Sequence, residues 1–179
     1  TTATTINDNR LNKFVASDLT FGLALSNNTT SSLFGTDSTI AYFMQGGTAA
    51  DTLKAGTTAD SLKAGAGNDS LQYSTSAVLF DGEAGDDTLT AATSTAGVNI
   101  VLKDDTAKYK NIEYLLGSSL ADKLGGTTAA DTIDGGNNAD SIWGAAGADT
   151  LIGGAGADTY WLGTGDGTDT ITNAGADNK

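Results

Sequence analysis

The 179-residue sequence contains no cysteine and no histidine. Without cysteine there is no disulfide framework, so rigidity has to come from backbone hydrogen bonds, packing or metal. Without histidine the usual general base, the common transition-metal ligand and any Ser/His/Asp triad are absent together. Aromatic residues make up only 7% of the chain, and basic residues number 9 against 22 acidic ones, a formal charge of −13. Such a field repels nucleic acid and anionic membrane and attracts cations. No apolar run approaches a membrane span. The opening Thr1-Thr2-Ala3-Thr4-Thr5 is neither an initiator Met nor a cleavable signal, so the chain reads as a mature product or a fragment of something longer.

What is abundant is glycine, 24 residues of it, with Thr, Ala and Asp. An Asp recurs at Asp51, Asp60, Asp69 and Asp87, and again at Asp122, Asp131, Asp140, Asp149 and Asp158, by nine or a multiple of nine within each block. Two residues after each comes an apolar or aromatic residue: Leu53, Leu62, Leu71 and Leu89, then Leu124, Ile133, Ile142, Leu151 and Tyr160. A turn of small residues precedes each Asp, as in Ala64-Gly65-Ala66-Gly67-Asn68 and Gly153-Gly154-Ala155-Gly156-Ala157. A tight, repeated backbone turn accounts for the pattern.

These in-register units resemble the RTX family, the hemolysin-type calcium-binding repeats, over Gly46 to about Thr172. The resemblance implies an all-β fold, a right-handed parallel β-roll (β-solenoid) in which each nonapeptide makes a turn and a short strand and two nonapeptides make one coil. Elementary packing agrees with it: the apolar residue points inward, its neighbours point out, and a single coil buries too little to stand alone. The expected layout is an N-terminal cap or non-repeat segment at 1–45 and a roll at 46–179, continuous through an irregular middle at about 100–116.

Several stretches depart from the repeat. In Tyr73 to Asp81 the Asp position is Val78 and the inward position Phe80, which reads as a coil that kept its packing and lost its ligand. Val98, Ile100 and Leu102 alternate as a strand, a charged loop runs from Lys103 to Lys110, and 111–117 leads into the second block. Near the N-terminus Leu11, Phe14 and Val15 lie at helical spacing, so a short helix over 8–17 is expected to cap the first coil, followed by a strand through Leu19, Phe21, Leu23 and Leu25. Residues 37–45 lie in frame, with Tyr42 and Met44 at the Asp and inward positions, so the roll can begin before its visible motif.

Calcium takes six to eight oxygens, readily supplied by carboxylates and backbone carbonyls. With two nonapeptides per coil, turns eighteen residues apart stack, pairing Asp51 with Asp69, Asp69 with Asp87, Asp122 with Asp140, Asp140 with Asp158, and Asp131 with Asp149. All of these are candidate calcium ligands. The fourth turn position, glycine in the family, is Ala49, Thr58, Leu120, Ala129 and Asn138 in five units, where side chains resist positive φ and the turns are expected to be distorted or metal-free. The best sites are therefore Asp69, Asp87, Asp149 and Asp158, whose turns keep Gly67, Gly85, Gly147 and Gly156; Asp60, stacked against Val78, is the weakest. The alternative is that the aspartates cap their turns with no ion.

Outward hydroxyls follow nearly every Asp, among them Thr52, Ser70, Thr132 and Thr150, a ladder that suits β-structure and solubility. An ice- or glycan-binding face is the sharper reading, opposed by Lys54, Lys63 and Asp134 nearby. Trp143 and Trp161 should stack on one outer face, either as a partner or self-assembly contact or beneath a terminal segment. With no catalytic cluster outside the repeat, two functions compete. One is a secreted, calcium-ordered structural or assembly module of a surface layer, matrix filament or adhesin, with self-association or other extracellular components as partners. The other is a calcium-triggered folding and secretion tail of a larger exported enzyme or toxin. Extracellular placement follows from the resemblance, the acidity and the calcium logic.

Overall fold

A computed structural model of the chain describes residues 41, 43–102 and 108–172, together with short strands of backbone at 4–6, 14–16, 23–25 and 32–35. Among the described residues nineteen strands follow one another: β1 (Thr4–Ile6), β2 (Phe14–Ala16), β3 (Leu23–Leu25), β4 (Ser32–Gly35), β5 (Phe43–Gln45), β6 (Thr52–Lys54), β7 (Ser61–Ala66), β8 (Ser70–Gln72), β9 (Leu79–Ala84) and β10 (Thr88–Thr90). They continue with β11 (Asn99–Val101), β12 (Tyr109–Lys110), β13 (Tyr114–Leu116), β14 (Lys123–Gly125), β15 (Thr132–Asp134), β16 (Ser141–Trp143), β17 (Thr150–Ile152), β18 (Thr159–Tyr160) and β19 (Thr170–Thr172). No helix occurs among the described residues, and the strand pairs are parallel, so the chain is an all-β solenoid.

The chain divides into two compact units, 1–89 with 107–112, and 90–106 with 113–179. In the first, β2, β4, β6, β8 and β10 line up in one sheet and β5, β7, β9 and β12 in another, with β1 beside β3. In the second, β13, β15, β17 and β19 form one sheet and β11, β14, β16 and β18 the other. Neighbours in a sheet are alternate strands of the sequence, as a coil of two strands requires, except where the irregular middle intervenes and β12 pairs with β9 and β14 with β11. The register is set by the repeat: Leu53 pairs with Leu71, and Ile133 with Leu151, at a separation of eighteen residues.

The inward residues form the core. Leu53, Leu62, Leu71, Leu89, Leu124, Ile133, Ile142 and Leu151 are completely buried. A parallel sheet puts these identical positions in register, so each apolar side chain lies over the one before, and at roughly 1.5 to 3 kcal/mol per buried aliphatic side chain the row outweighs any local preference of its Gly-rich turns.

The ligand-less coil behaves as its sequence suggests, with Phe80 fully buried while Val78 is exposed. Its packing is completed by a part of the chain that the repeat does not announce. β12 returns to pair with β9, setting Tyr109 opposite Phe80. The rings stack as Tyr73, Phe80 and Tyr109, with centroids 6.1 and 5.8 Å apart. The Lys108 ammonium lies 5.5 to 6.0 Å from all three rings, a cation–π arrangement in a coil that has no repeat aspartate. Of the charged loop, residues 103–107 lie outside the described residues.

The N-terminal segment differs from expectation. Phe14–Ala16, placed in a short helix by its spacing, is strand β2, paired with β4. A run of three apolar residues satisfies helical and strand periods alike, and an available parallel partner decides between them. The rest of that expected helix, 8–13 and 17, lies outside the described residues, as do Leu19, Phe21 and Tyr42; Leu23–Leu25 is a strand as expected. Parallel pairing starts well before the visible motif, with offsets of nineteen residues for Thr4 against Leu23 and for Phe14 against Leu33, and twenty for Ser32 against Thr52. The extra residue or two per coil is what hides these coils from a search at a period of nine. Met44 is buried at the inward position, in frame as expected.

Candidate metal centre: the stacked aspartate turns

Every turn aspartate from Asp51 to Asp158 is at least 96% buried. All five expected stacked pairs are present and share one bond: the backbone N–H of the earlier Asp donates to Oδ1 of the later one. The distances are 2.6 Å from Asp51 to Asp69, 2.8 Å from Asp69 to Asp87, 2.8 Å from Asp122 to Asp140, 3.0 Å from Asp140 to Asp158 and 2.8 Å from Asp131 to Asp149. The row of Asp131 and Asp149 extends to Asp169, whose Oδ1 accepts the Asp149 N–H at 3.1 Å. At the other end Asp122 Oδ1 accepts the N–H of Val98, where no earlier aspartate exists.

The second carboxylate oxygen separates the aspartates into two kinds. In four turns Oδ2 accepts the N–H of the residue four positions earlier: Gly47 to Asp51 (2.7 Å), Gly56 to Asp60 (2.7 Å), Ser118 to Asp122 (2.6 Å) and Thr127 to Asp131 (2.6 Å). Turn hydroxyls add to this, Thr58 donating to Asp60, Ser118 to Asp122 and Thr127 to Asp131. These are self-capped turns. In contrast, Oδ2 of Asp69, Asp140 and Asp149 is buried and accepts no hydrogen bond.

Backbone conformation causes the split. Before Asp69, Asp87, Asp140, Asp149 and Asp158 the fourth turn residue has positive φ: Gly67 126°, Gly85 142°, Asn138 70°, Gly147 133° and Gly156 142°. So has the second, at Gly65, Glu83, Gly136, Ala145 and Gly154. No residue of 46–50, 55–59, 117–121 or 126–130 is in that region. With the second residue rotated, its N–H no longer faces the carboxylate: Glu83 donates to Asp81 and Gly136 to Asp134 instead. Asn138 is thus not a disruption of its turn, because Asn tolerates the left-handed region that Ala, Thr and Leu avoid.

Burial shapes the charge of this row. It pushes Asp140 up to about 7 and Asp131 up to about 6, and raises Asp69 and Asp149, with stacked carboxylates adding to the rise in each case. A carboxylate that is buried and partly unbonded favours either a proton or a counter-cation. Hard oxygen donors with no histidine or cysteine suit calcium rather than a softer metal. Among the described residues no three acidic side chains converge on one point, so turn carbonyls must supply much of the shell. The donor set fits calcium on those terms.

The family profile of the RTX calcium-binding nonapeptide repeat matches this chain in four copies, over residues 45–73, 116–151, 125–160 and 134–171. The protein is therefore an all-β solenoid bearing RTX repeats, a structural calcium-binding fold. No curated protein matches the chain.

The outer surface carries the expected hydroxyl rows, with Thr52 beside Ser70 and Thr132, Thr150 and Thr170 in register. The Trp161 N–H donates to the Ile142 carbonyl, which sets Trp161 one coil on from Trp143. The Trp143 indole leans the other way, filling the space that a side chain at Gly125 would need, and Trp161 is 63% exposed.

Proposed function

We infer that the chain is an extracellular structural or assembly module, folded and rigidified by calcium held at its Gly/Asp turns. The observation that carries the calcium part is the set of buried, unbonded Oδ2 atoms of Asp69, Asp140 and Asp149 in rows of stacked carboxylates. Calcium bound there would neutralise charge that the fold otherwise confines at close range.

The assembly part is supported by the last described coil. Ile171 pairs with fully buried Leu151, yet is itself 43% exposed, and Leu162 is 60% exposed. An apolar cross-section bordered by strand edges invites further strands. The test is circular dichroism with light scattering during a calcium titration that starts in chelator. β-signal that appears with calcium, followed by growth in scattering, supports the module. β-signal that appears with calcium while the protein stays monomeric at high concentration favours the folding and secretion tail. A β-signal complete in chelator and unmoved by calcium overturns the calcium reading.

A further inference from the structure

The two kinds of turn are not scattered along the chain. The aspartates form four rows at the coil spacing, continued by the bonds between stacked turns: Asp51, Asp69 and Asp87; Asp60 alone; Asp122, Asp140 and Asp158; and Asp131, Asp149 and Asp169. In every row the first aspartate, Asp51, Asp60, Asp122 or Asp131, is the self-capped one. The turns with paired positive-φ residues come only after it.

Resting on the calcium reading above, the geometry points to a division of labour: the four self-capped turns take no calcium and close without it, and calcium enters only at the turns that follow, where Asp69, Asp87, Asp140, Asp149 and Asp158 stand. In every head turn Oδ2 already has a backbone donor from the protein, and at Asp60 and Asp122 both oxygens do: at Asp122, Ser118 N–H meets Oδ2 and Val98 N–H meets Oδ1. A cation would have to displace a bond that the backbone can make by itself. In the following turns the second residue has rotated its N–H away, leaving the Oδ2 atoms of Asp69, Asp140 and Asp149 without one. Three of the four head turns then offer a preformed backbone N–H, that of Asp51, Asp122 or Asp131, to which the next aspartate docks through Oδ1. Calcium-driven folding therefore has a direction built into each of the three longer rows, from a metal-independent first turn towards the later ones.

Amide hydrogen exchange on the full chain, in chelator and in millimolar calcium, tests this. In chelator the N–H groups of Gly47, Gly56, Ser118 and Thr127 are expected to exchange at least about tenfold more slowly than unfolded chain, the weight of one charge-assisted hydrogen bond. Turns 64–69, 82–87, 135–140, 144–149 and 153–158 are expected to be the less protected in chelator and to gain protection when calcium is added. Calcium stoichiometry supplies the second readout: Asp122→Asn/Asp131→Asn should bind as much calcium as the parent, and Asp140→Asn/Asp149→Asn should lose the sites it alters. If all nine turns gain protection together with calcium, or if the first double variant loses bound calcium, the division of labour is wrong while the calcium reading stands. If calcium changes exchange nowhere and none is bound, both fall.

Discussion

Replacing Asp140 by Asn should change stability in opposite directions with and without calcium. Asp140 is 2% exposed, its Oδ1 accepts the Asp122 N–H at 2.8 Å, and its Oδ2 accepts nothing. Burial and the flanking Asp122 and Asp158 carboxylates hold its pKa at about 7 against an ordinary 3.8. At about 1.4 kcal/mol per unit, keeping this group ionised at neutral pH costs the calcium-free fold at most about 4 kcal/mol, and screening by nearby solvent brings that to roughly 1 to 2. An Asn keeps an oxygen for the Asp122 N–H and removes the charge, so in chelator the variant should be the more stable protein by that amount. In calcium the comparison reverses: a site filled at a hundred times its Kd adds about 2.7 kcal/mol. Losing it outweighs the relief of charge and leaves the variant less stable by about 1 kcal/mol. Paired urea titrations of parent and variant, in chelator and in calcium, measure both differences. Equal destabilisation in the two conditions would show that Asp140 is a turn cap after all and refute the reasoning.

Other outcomes follow from the same structure. The folded-state pKa values of Asp131 and Asp140, about 6 and about 7, lie above the ordinary 3.8, so their contribution to stability is fully present below pH 3.8 and is lost as pH rises through 6 to 7; in chelator the melting temperature should fall across that window. Calcium should flatten this dependence, and a chelated protein that becomes more stable towards neutrality would contradict it. Leu151→Ala removes a fully buried side chain facing Ile133 and Ile171 and should cost about 2 to 5 kcal/mol in denaturant unfolding with calcium present. Ala145, at φ 72°, occupies a position that is glycine in the neighbouring turns at Gly136 and Gly154, so Ala145→Gly should stabilise the calcium-loaded protein by about 1 kcal/mol, read as a rise in melting temperature.

Much of this protein can be read from its spacing alone. The nine-residue recurrence identifies the inward Leu and Ile residues and the stacked aspartate pairs, because a two-strand coil leaves one arrangement that buries every apolar repeat position. The fourth turn residue also carries the signal for the two kinds of turn: Ala49, Thr58, Leu120 and Ala129 mark the self-capped ones, and Asn138, grouped with them by sequence, belongs instead with glycine for a conformational reason. The N-terminal coils escape because their strands recur at nineteen and twenty residues.

By itself, then, the sequence determined the repeat, the parallel strands, the core and the acidic turns, since each is a periodic property that one coil shares with the next. The tertiary structure alone decided the rest. It turned Phe14–Ala16 into a strand, and it brought Tyr109 and Lys108 back across about thirty residues onto Phe80. It also showed which carboxylate oxygens are already bonded, because that depends on where one N–H points in three dimensions: Asn138, grouped by sequence with Ala, Thr and Leu, takes positive φ, and the Asp140 that follows keeps an unbonded Oδ2.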